Sequence, residues 1–232
     1  MARLLDSLAV IFPFETACYA DTSLDTNFVG HPFLDAAYKN PVHYDPNGDI
    51  LLLAGSREIA VSRIFPIIAQ TLRLLKDERA VALYPSASIK AILEKTLAKY
   101  PDVASRVRLA DKSETDIAAK AVLMSSGTMS LCCCLAGVPG AIVYKANPLT
   151  YILGRMLVKI DYLGIANILL KKPAWREFIQ FDADPKEIAA YVRTCLTRAA
   201  RAEFAEYAAQ LEGLLHAEAS RGAEDWLLAN LQ

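Results

Sequence analysis

Short, continuous apolar runs alternate along this chain with longer stretches in which apolar residues recur every three or four positions. The runs at 50–54, 80–84, 107–109, 121–124 and 141–144 predict strands that are buried on both faces. Between them lie helical patterns. Val61, Ile64, Phe65, Ile68, Leu72 and Leu75 share one face of a helix after the loop Gly55-Ser56-Arg57. Pro66 is expected to kink that helix or to mark its first turn. Ile89, Ile92, Leu93 and Leu97 point inward from a helix over 86–99, and a short helix is expected over 114–120. Residues 123–135 read as the end of a strand, a tight Ser126-Gly127-Thr128 turn and a helix running to about Ala136. Apolar strands separated by helices imply a parallel sheet covered on both sides, hence an α/β, Rossmann-like, doubly wound fold.

The flanks differ. Residues 8–12 and 27–29 are short strand candidates, stopped by Pro13 and by Gly30-His31-Pro32. His31 is expected to cap or hinge the chain. The polar stretch 40–48, with Asn40-Pro41 and Asp45-Pro46-Asn47-Gly48, is expected to be a linker. Residues 147–172 are apolar yet carry Arg155, Lys159, Lys171 and Lys172 against Asp161. This pattern fits a pair of amphipathic helices with solvated basic faces. It fits equally a surface that touches an anionic membrane or substrate. Farther on, Asp184 is expected as an N-cap with Pro185 at N1 and Glu187 at N3. Phe204, Tyr207, Leu211, Leu214 and Leu215 then form the apolar face of a last helix. The pattern divides the chain into an N-terminal segment with linker at 1–40, a Rossmann-like domain at 41–183 and C-terminal helices at 184–232.

Composition narrows the partners. A formal charge of −1 gives no general attraction to nucleic acid. Mean hydropathy is high, at +0.24, but every long apolar run is broken by a charge or a turn residue, so no membrane-spanning helix is expected. No leader is expected, because residues 1–13 are too short for one and lack its cleavage site. Five cysteines, an odd number with three in a row (Cys132, Cys133, Cys134), argue against a disulfide framework and for a reducing cytosol. Neighbours on a helix point about 100° apart, so that triplet cannot converge on one metal.

The candidate chemistry lies where strands end. A Ser-Gly-Thr turn opening a helix offers unpaired N–H groups and the positive end of a helix dipole, which favour an anion such as phosphate. Strand–Ser/Thr–helix junctions that serve only as caps are the alternative reading. Ligands of doubly wound sheets bind beyond the carboxyl ends of the strands, where Gly55-Ser56-Arg57 also falls.

Several blocks together resemble the lipid-A-disaccharide synthases, bacterial glycosyltransferases of the two-Rossmann-domain (GT-B) class. They are Phe12-Pro13-Phe14-Glu15, Phe28-Val29-Gly30-His31-Pro32, Gly55-Ser56-Arg57, Ser126-Gly127-Thr128, Gly137-Val138-Pro139 and Tyr144-Lys145. Val158-Lys159, Tyr162, Ala166-Asn167-Ile168-Leu169 and Phe178-Ile179-Gln180 follow in the same order. The resemblance implies the C-terminal, donor-binding half of a GT-B fold with extra C-terminal helices. It implies transfer of 2,3-diacylglucosamine from its UDP-sugar to lipid X, with inversion and without a metal or cofactor. Ser56, Arg57, Ser126, Gly127, Thr128, Lys145 and Asn167 would hold the UDP-sugar. The general base is expected in the N-terminal domain, which the match does not include. The resemblance further implies a cytoplasmic location, peripheral to the anionic inner membrane, and either a chain supplying the N-terminal half or a homo-oligomer.

Two positions depart from the family pattern. Its Ser-Gly-Thr-x-x-Leu-Glu ends here in Leu131-Cys132, and its Gly-Ser-Arg-x-x-Glu has Ala60 in place of the glutamate. A non-catalytic remnant that binds membrane or a partner is therefore one alternative. A UDP-sugar 2-epimerase-like enzyme, which shares the architecture, is another.

Overall fold

The computed structural model describes residues 2–146, 161–216 and 222–230. They divide into two units, Met1–Lys39 with Ala209–Gln232, and Asn40–Ala208.

In the smaller unit β1 (Ser7–Val10) pairs in parallel with β2 (Asp25–Phe28), Ser7 opposite Asp25 and Val10 opposite Phe28. β1 stops at Val10, short of the end of the predicted run 8–12, because Pro13 opens a 3-10 helix (Pro13–Tyr19) whose cap is Phe12, while β2 starts two residues before the predicted 27–29. An aromatic row follows. Phe12 stacks on Phe14 (5.5 Å between ring centres) and leans on His31 (5.1 Å), which meets Phe33 edge-on (4.6 Å). His31 caps the next short helix (Pro32–Leu34), its Nδ1 accepting from the Phe33 amide at 3.1 Å, and its own amide donates to the Leu215 carbonyl.

The larger unit is built on parallel strands. These are β3 (Val42–Leu53), β4 (Ala80–Tyr84), β5 (Val107–Asp111), β6 (Ile117–Met124), β7 (Gly140–Tyr144) and β8 (Arg176–Ile179). Their order is β5-β4-β3-β6-β7-β8, every neighbour parallel. Counted from the first strand of the unit this is 3-2-1-4-5-6, the order of a dinucleotide-binding doubly wound sheet. Ile50, Leu52, Leu123 and Val143 join Val61, Ile64, Phe65 and Ile68 of α1 (Glu58–Leu74) in one buried cluster. Pro66 stands inside α1 without ending it. Ser86 caps α2 (Ala87–Leu97), and α3 (Pro101–Ala104) is a single turn.

The structure departs from the sequence pattern in three places. Residues 40–48 are not a linker: β3 begins at Val42 and runs, with a register shift between Tyr44 and Asp49, into the buried strand. Its polar half is hidden by a turn-like bulge at Pro46-Asn47-Gly48, and a Cβ on Gly48 would lie 2.6 Å from the Ala118 carbonyl oxygen. Residues 114–120 are not a helix either. Ile117 and Ala119 are buried while Ala118 and Lys120 are half-exposed, the period of two of a strand, and Val42–Tyr44 pairs along them. Finally β8, four residues at the sheet edge, was hidden by its charged Arg176 and Glu177.

Trp175 enters β8 fully buried. Its Nε1–H donates to the Val138 carbonyl at 3.1 Å and its ring meets Phe204 edge-on. Trp175→Ala is expected to cost about 3–5 kcal/mol. Gly140→Ala, whose Cβ would run into the Val122 carbonyl, is expected to cost about 1–3 kcal/mol. Urea midpoints check both. A pH dependence comes from His31, whose burial pushes its pKa below the ordinary histidine value. The unfolded chain then binds the proton more readily, so stability is full above about pH 6.5 and falls as pH drops through the folded-state pKa. Replacing His31 with Asn, which can still cap, is expected to flatten that decline in unfolding free energy.

Candidate functional site

From β3 the chain crosses to β4 on one side, and from β6 it crosses to β7 on the other. The two loops leaving this central pair therefore splay apart around a crevice, the topological switch point of the sheet. They start in contact. The Ser125 amide donates to the Leu53 carbonyl at 2.7 Å. Gly55, at φ +109°, lets its loop turn where a Cβ would sit 3.0 Å from Ser125 Oγ.

Each loop feeds a helix. Arg57 is the N-cap of α1, extended at φ −98° and ψ 122°, and its carbonyl accepts from Ala60 and Val61. Its side chain is exposed and, among the described residues, has no hydrogen-bond or ion-pair partner. Gly127 caps α4 (Thr128–Leu135). Its backbone is extended, and a Cβ there would meet nothing within 4 Å, so the turn faces open space. Gly127 and Ser130 satisfy each other, the Gly127 amide donating to Ser130 Oγ (3.2 Å) and the Ser130 amide to the Gly127 carbonyl (3.1 Å). The Thr128 and Met129 amides, at the start of the helix, have no partner within it. With the exposed Thr128 hydroxyl they form a small positive cradle facing the crevice.

Lys145 is exposed at the end of β7, the next strand along, again with no partner among the described residues. The structure thus places Ser56, Arg57, Ser126, Gly127, Thr128 and Lys145 at the carboxyl ends of three adjacent strands. Arg155 and Lys159 lie outside the described residues.

Two expected ligands are otherwise occupied. Ser126 Oγ donates to the Leu163 carbonyl at 2.8 Å, so its proton is committed to the protein. Asn167, in α5 (Ile165–Leu170), is completely buried. Its Nδ2 donates to the Trp175 carbonyl (2.7 Å) and to Glu177 Oε1 (2.8 Å), and its Oδ1 accepts from the Trp175 amide (2.9 Å). Both amide protons are used, so in this structure Asn167 braces the site rather than facing a ligand. Sequence reasoning missed Glu177 altogether. Its carboxylate also accepts from the Leu163 amide (2.9 Å) and the Gly164 amide (2.9 Å). No polar–apolar alternation marks β8, where two charged residues, Arg176 and Glu177, precede Phe178 and Ile179, so the sequence carried no signal of that role.

The two departures from the family pattern are also visible. Cys132 is buried, and burial pushes the neighbouring Cys133 and Cys134 thiols up so that they stay protonated. Ala60 is half-buried in the first turn of α1. Neither position offers a carboxylate. Among the described residues no group of His, Cys, Asp and Glu could hold a metal ion, and no helix is long and apolar enough to cross a membrane.

Comparison with known proteins gives a consistent result. The lipid-A-disaccharide synthase of Syntrophus aciditrophicus is 31% identical over 209 residues, 84% of this chain and 55% of that protein. The synthase of Syntrophotalea carbinolica is 34% identical over 214 residues, 86% of this chain and 54% of that protein. The chain thus spans about half the length of these curated relatives. Among solved structures, a spinosyn rhamnosyltransferase complexed with thymidine diphosphate aligns with a TM-score of 0.51 at 13% identity, covering 88% of this chain and 48% of that one, a likeness of fold alone. The family model for lipid-A-disaccharide synthetase matches residues 1–227, and the chain belongs to that family.

Proposed function

We propose that this chain is the donor-binding half of a lipid-A-disaccharide synthase. It would hold the UDP-sugar of 2,3-diacylglucosamine while the sugar is transferred to lipid X. The observation that carries the reading is Arg57, exposed and without a partner among the described residues, on the loop next to the open Gly127–Thr128 helix start at the switch point of the sheet. The reaction leaves negative charge on the departing UDP, which must be stabilised as the glycosidic bond breaks. The Thr128 and Met129 amides and the Thr128 hydroxyl supply fixed donors for one phosphate, and Arg57 a bidentate fork for a phosphate. Lys145 adds a second cation along the same edge. Ser126 and Asn167 serve by holding the turn and its neighbouring loop rather than by touching the nucleotide. The acceptor site and general base belong to the remaining half of the relatives' length, joined to this chain or separate. The basic, apolar stretch 147–172 suits the anionic inner-membrane surface where a lipid-linked substrate resides.

A second reading, a non-catalytic member that binds membrane or a partner, is favoured by Ala60 and Cys132. Losing two charge-assisted hydrogen bonds to a ligand would weaken UDP binding by about 10²–10⁴-fold.

Calorimetric titration of the folded chain with UDP separates the two. The donor-site reading expects saturable binding that Arg57→Ala weakens by about 10–100-fold. No binding up to millimolar UDP, together with nucleotide-independent sedimentation on anionic liposomes, would leave the second reading. Transfer to lipid X is expected only when the complementary half is present.

A further inference from the structure

The polar contacts beneath the Ser-Gly-Thr turn form one continuous chain. Ser126 Oγ donates to the Leu163 carbonyl, and the Leu163 and Gly164 amides donate to the Glu177 carboxylate. Glu177 Oε1 also accepts from Asn167 Nδ2, whose amide is locked onto the Trp175 backbone. Trp175 in turn is anchored in the core. The loop at 163–164 thus has no choice of position. Gly164 is pressed so closely on Ile142 that a Cβ there would collide with the Ile142 side chain, and it would lie 3.2 Å from Glu177 Oε1. One half-buried carboxylate therefore fixes the loop through two backbone amides and the following helix through Asn167, and that loop fixes the turn through one serine.

We infer that Glu177 is a positioning residue for the anion site: it holds the Ser126–Thr128 turn in the conformation that presents the Thr128 and Met129 amides to a phosphate. The inference rests on the donor-site reading for the identity of the ligand but not for the order of the turn. A carboxylate suits the task because it is acceptor-only, able to take several N–H groups at once. Glutamine keeps the shape but puts two donors where one oxygen was, facing amides that are themselves donors.

The test compares wild type, Glu177→Gln, Ser126→Ala and the double variant by amide hydrogen exchange and by UDP titration, with melting curves to confirm folding. Glu177→Gln is expected to speed exchange at the Gly127 and Ser130 amides, which are hydrogen-bonded across the turn, and at 163–164, while leaving β3 and β6 protected. It is also expected to weaken UDP binding by about 10–100-fold, the cost of one or two charge-assisted bonds. Because both residues act through Leu163, the double variant is expected to bind UDP within about twofold of Glu177→Gln alone. Unchanged exchange at the Gly127 and Ser130 amides would overturn the inference. So would unchanged UDP affinity in a variant that merely melts earlier, or fully multiplicative effects of the two substitutions. If the wild type binds no UDP, the donor-site reading fails, and the exchange at the Gly127 and Ser130 amides alone decides whether Glu177 orders the turn.

Discussion

The pairing of β3 with β6 is the constraint on which the larger unit depends. Leu51, Leu52 and Leu53 lie beside Val122, Leu123 and Met124, parallel and sealed from water on both faces. Burial of this kind leaves no room for a register slip, because moving one strand by a residue would turn its side chains to the opposite faces. Fixing that register also fixes where the two strands end. Ser125 is drawn onto the Leu53 carbonyl, and the loops carrying Arg57 and Thr128 leave the sheet at the same level. A helix start and a guanidinium with no partner among the described residues are thereby brought to one end of the sheet by contacts that involve neither. The apolar pairing positions the site, and the polar residues only decorate it.

That division of labour explains what was legible in the sequence. The strands from 50 to 144 and the helix of Val61, Ile64, Phe65 and Ile68 follow from periodicity alone, because burial on both faces or one face writes itself into residue type. The Asp184–Pro185–Glu187 helix start was readable too, since Asp184 accepts from Lys186 and Glu187 where the cap pattern says it should. The failures share a cause. At 42–48 and 117–120 the strands are half-covered or bulged, so their residues are polar or small, and local turn chemistry outweighs a pattern that only the partner strand completes. β8 is short and lies at the edge, and its charged residues work against other parts of the chain.

The site shows the same limit. That Ser126, Gly127, Thr128 and Arg57 fall at strand-to-helix junctions could be read because a motif's backbone chemistry is local. The contacts Asn167 makes in this structure could not be read, since an asparagine's contacts depend on which partners reach it first. Here Trp175 and Glu177 do, and an amide with both protons committed inside a buried site costs too much to redirect toward a ligand. Polar residues in a motif divide into those that touch and those that hold, and only geometry separates them.

The missing carboxylates at Ala60 and Cys132 bear on how much function the remaining frame can sustain. In the proposed donor-site reading, phosphate would be met by backbone amides and one arginine, which those two positions do not supply. The sugar and ribose hydroxyls differ, since hydroxyl donors need acceptors, and a buried thiol is a poor one. In that reading the two losses would act on nucleotide selectivity more than on anion binding itself. Glu177 makes the contrast sharper. A fully engaged carboxylate lies beneath the Ser126–Thr128 turn while Ala60 and Cys132 offer none, so the part of the proposed site that would hold charge is braced and the part that would meet the nucleoside is bare.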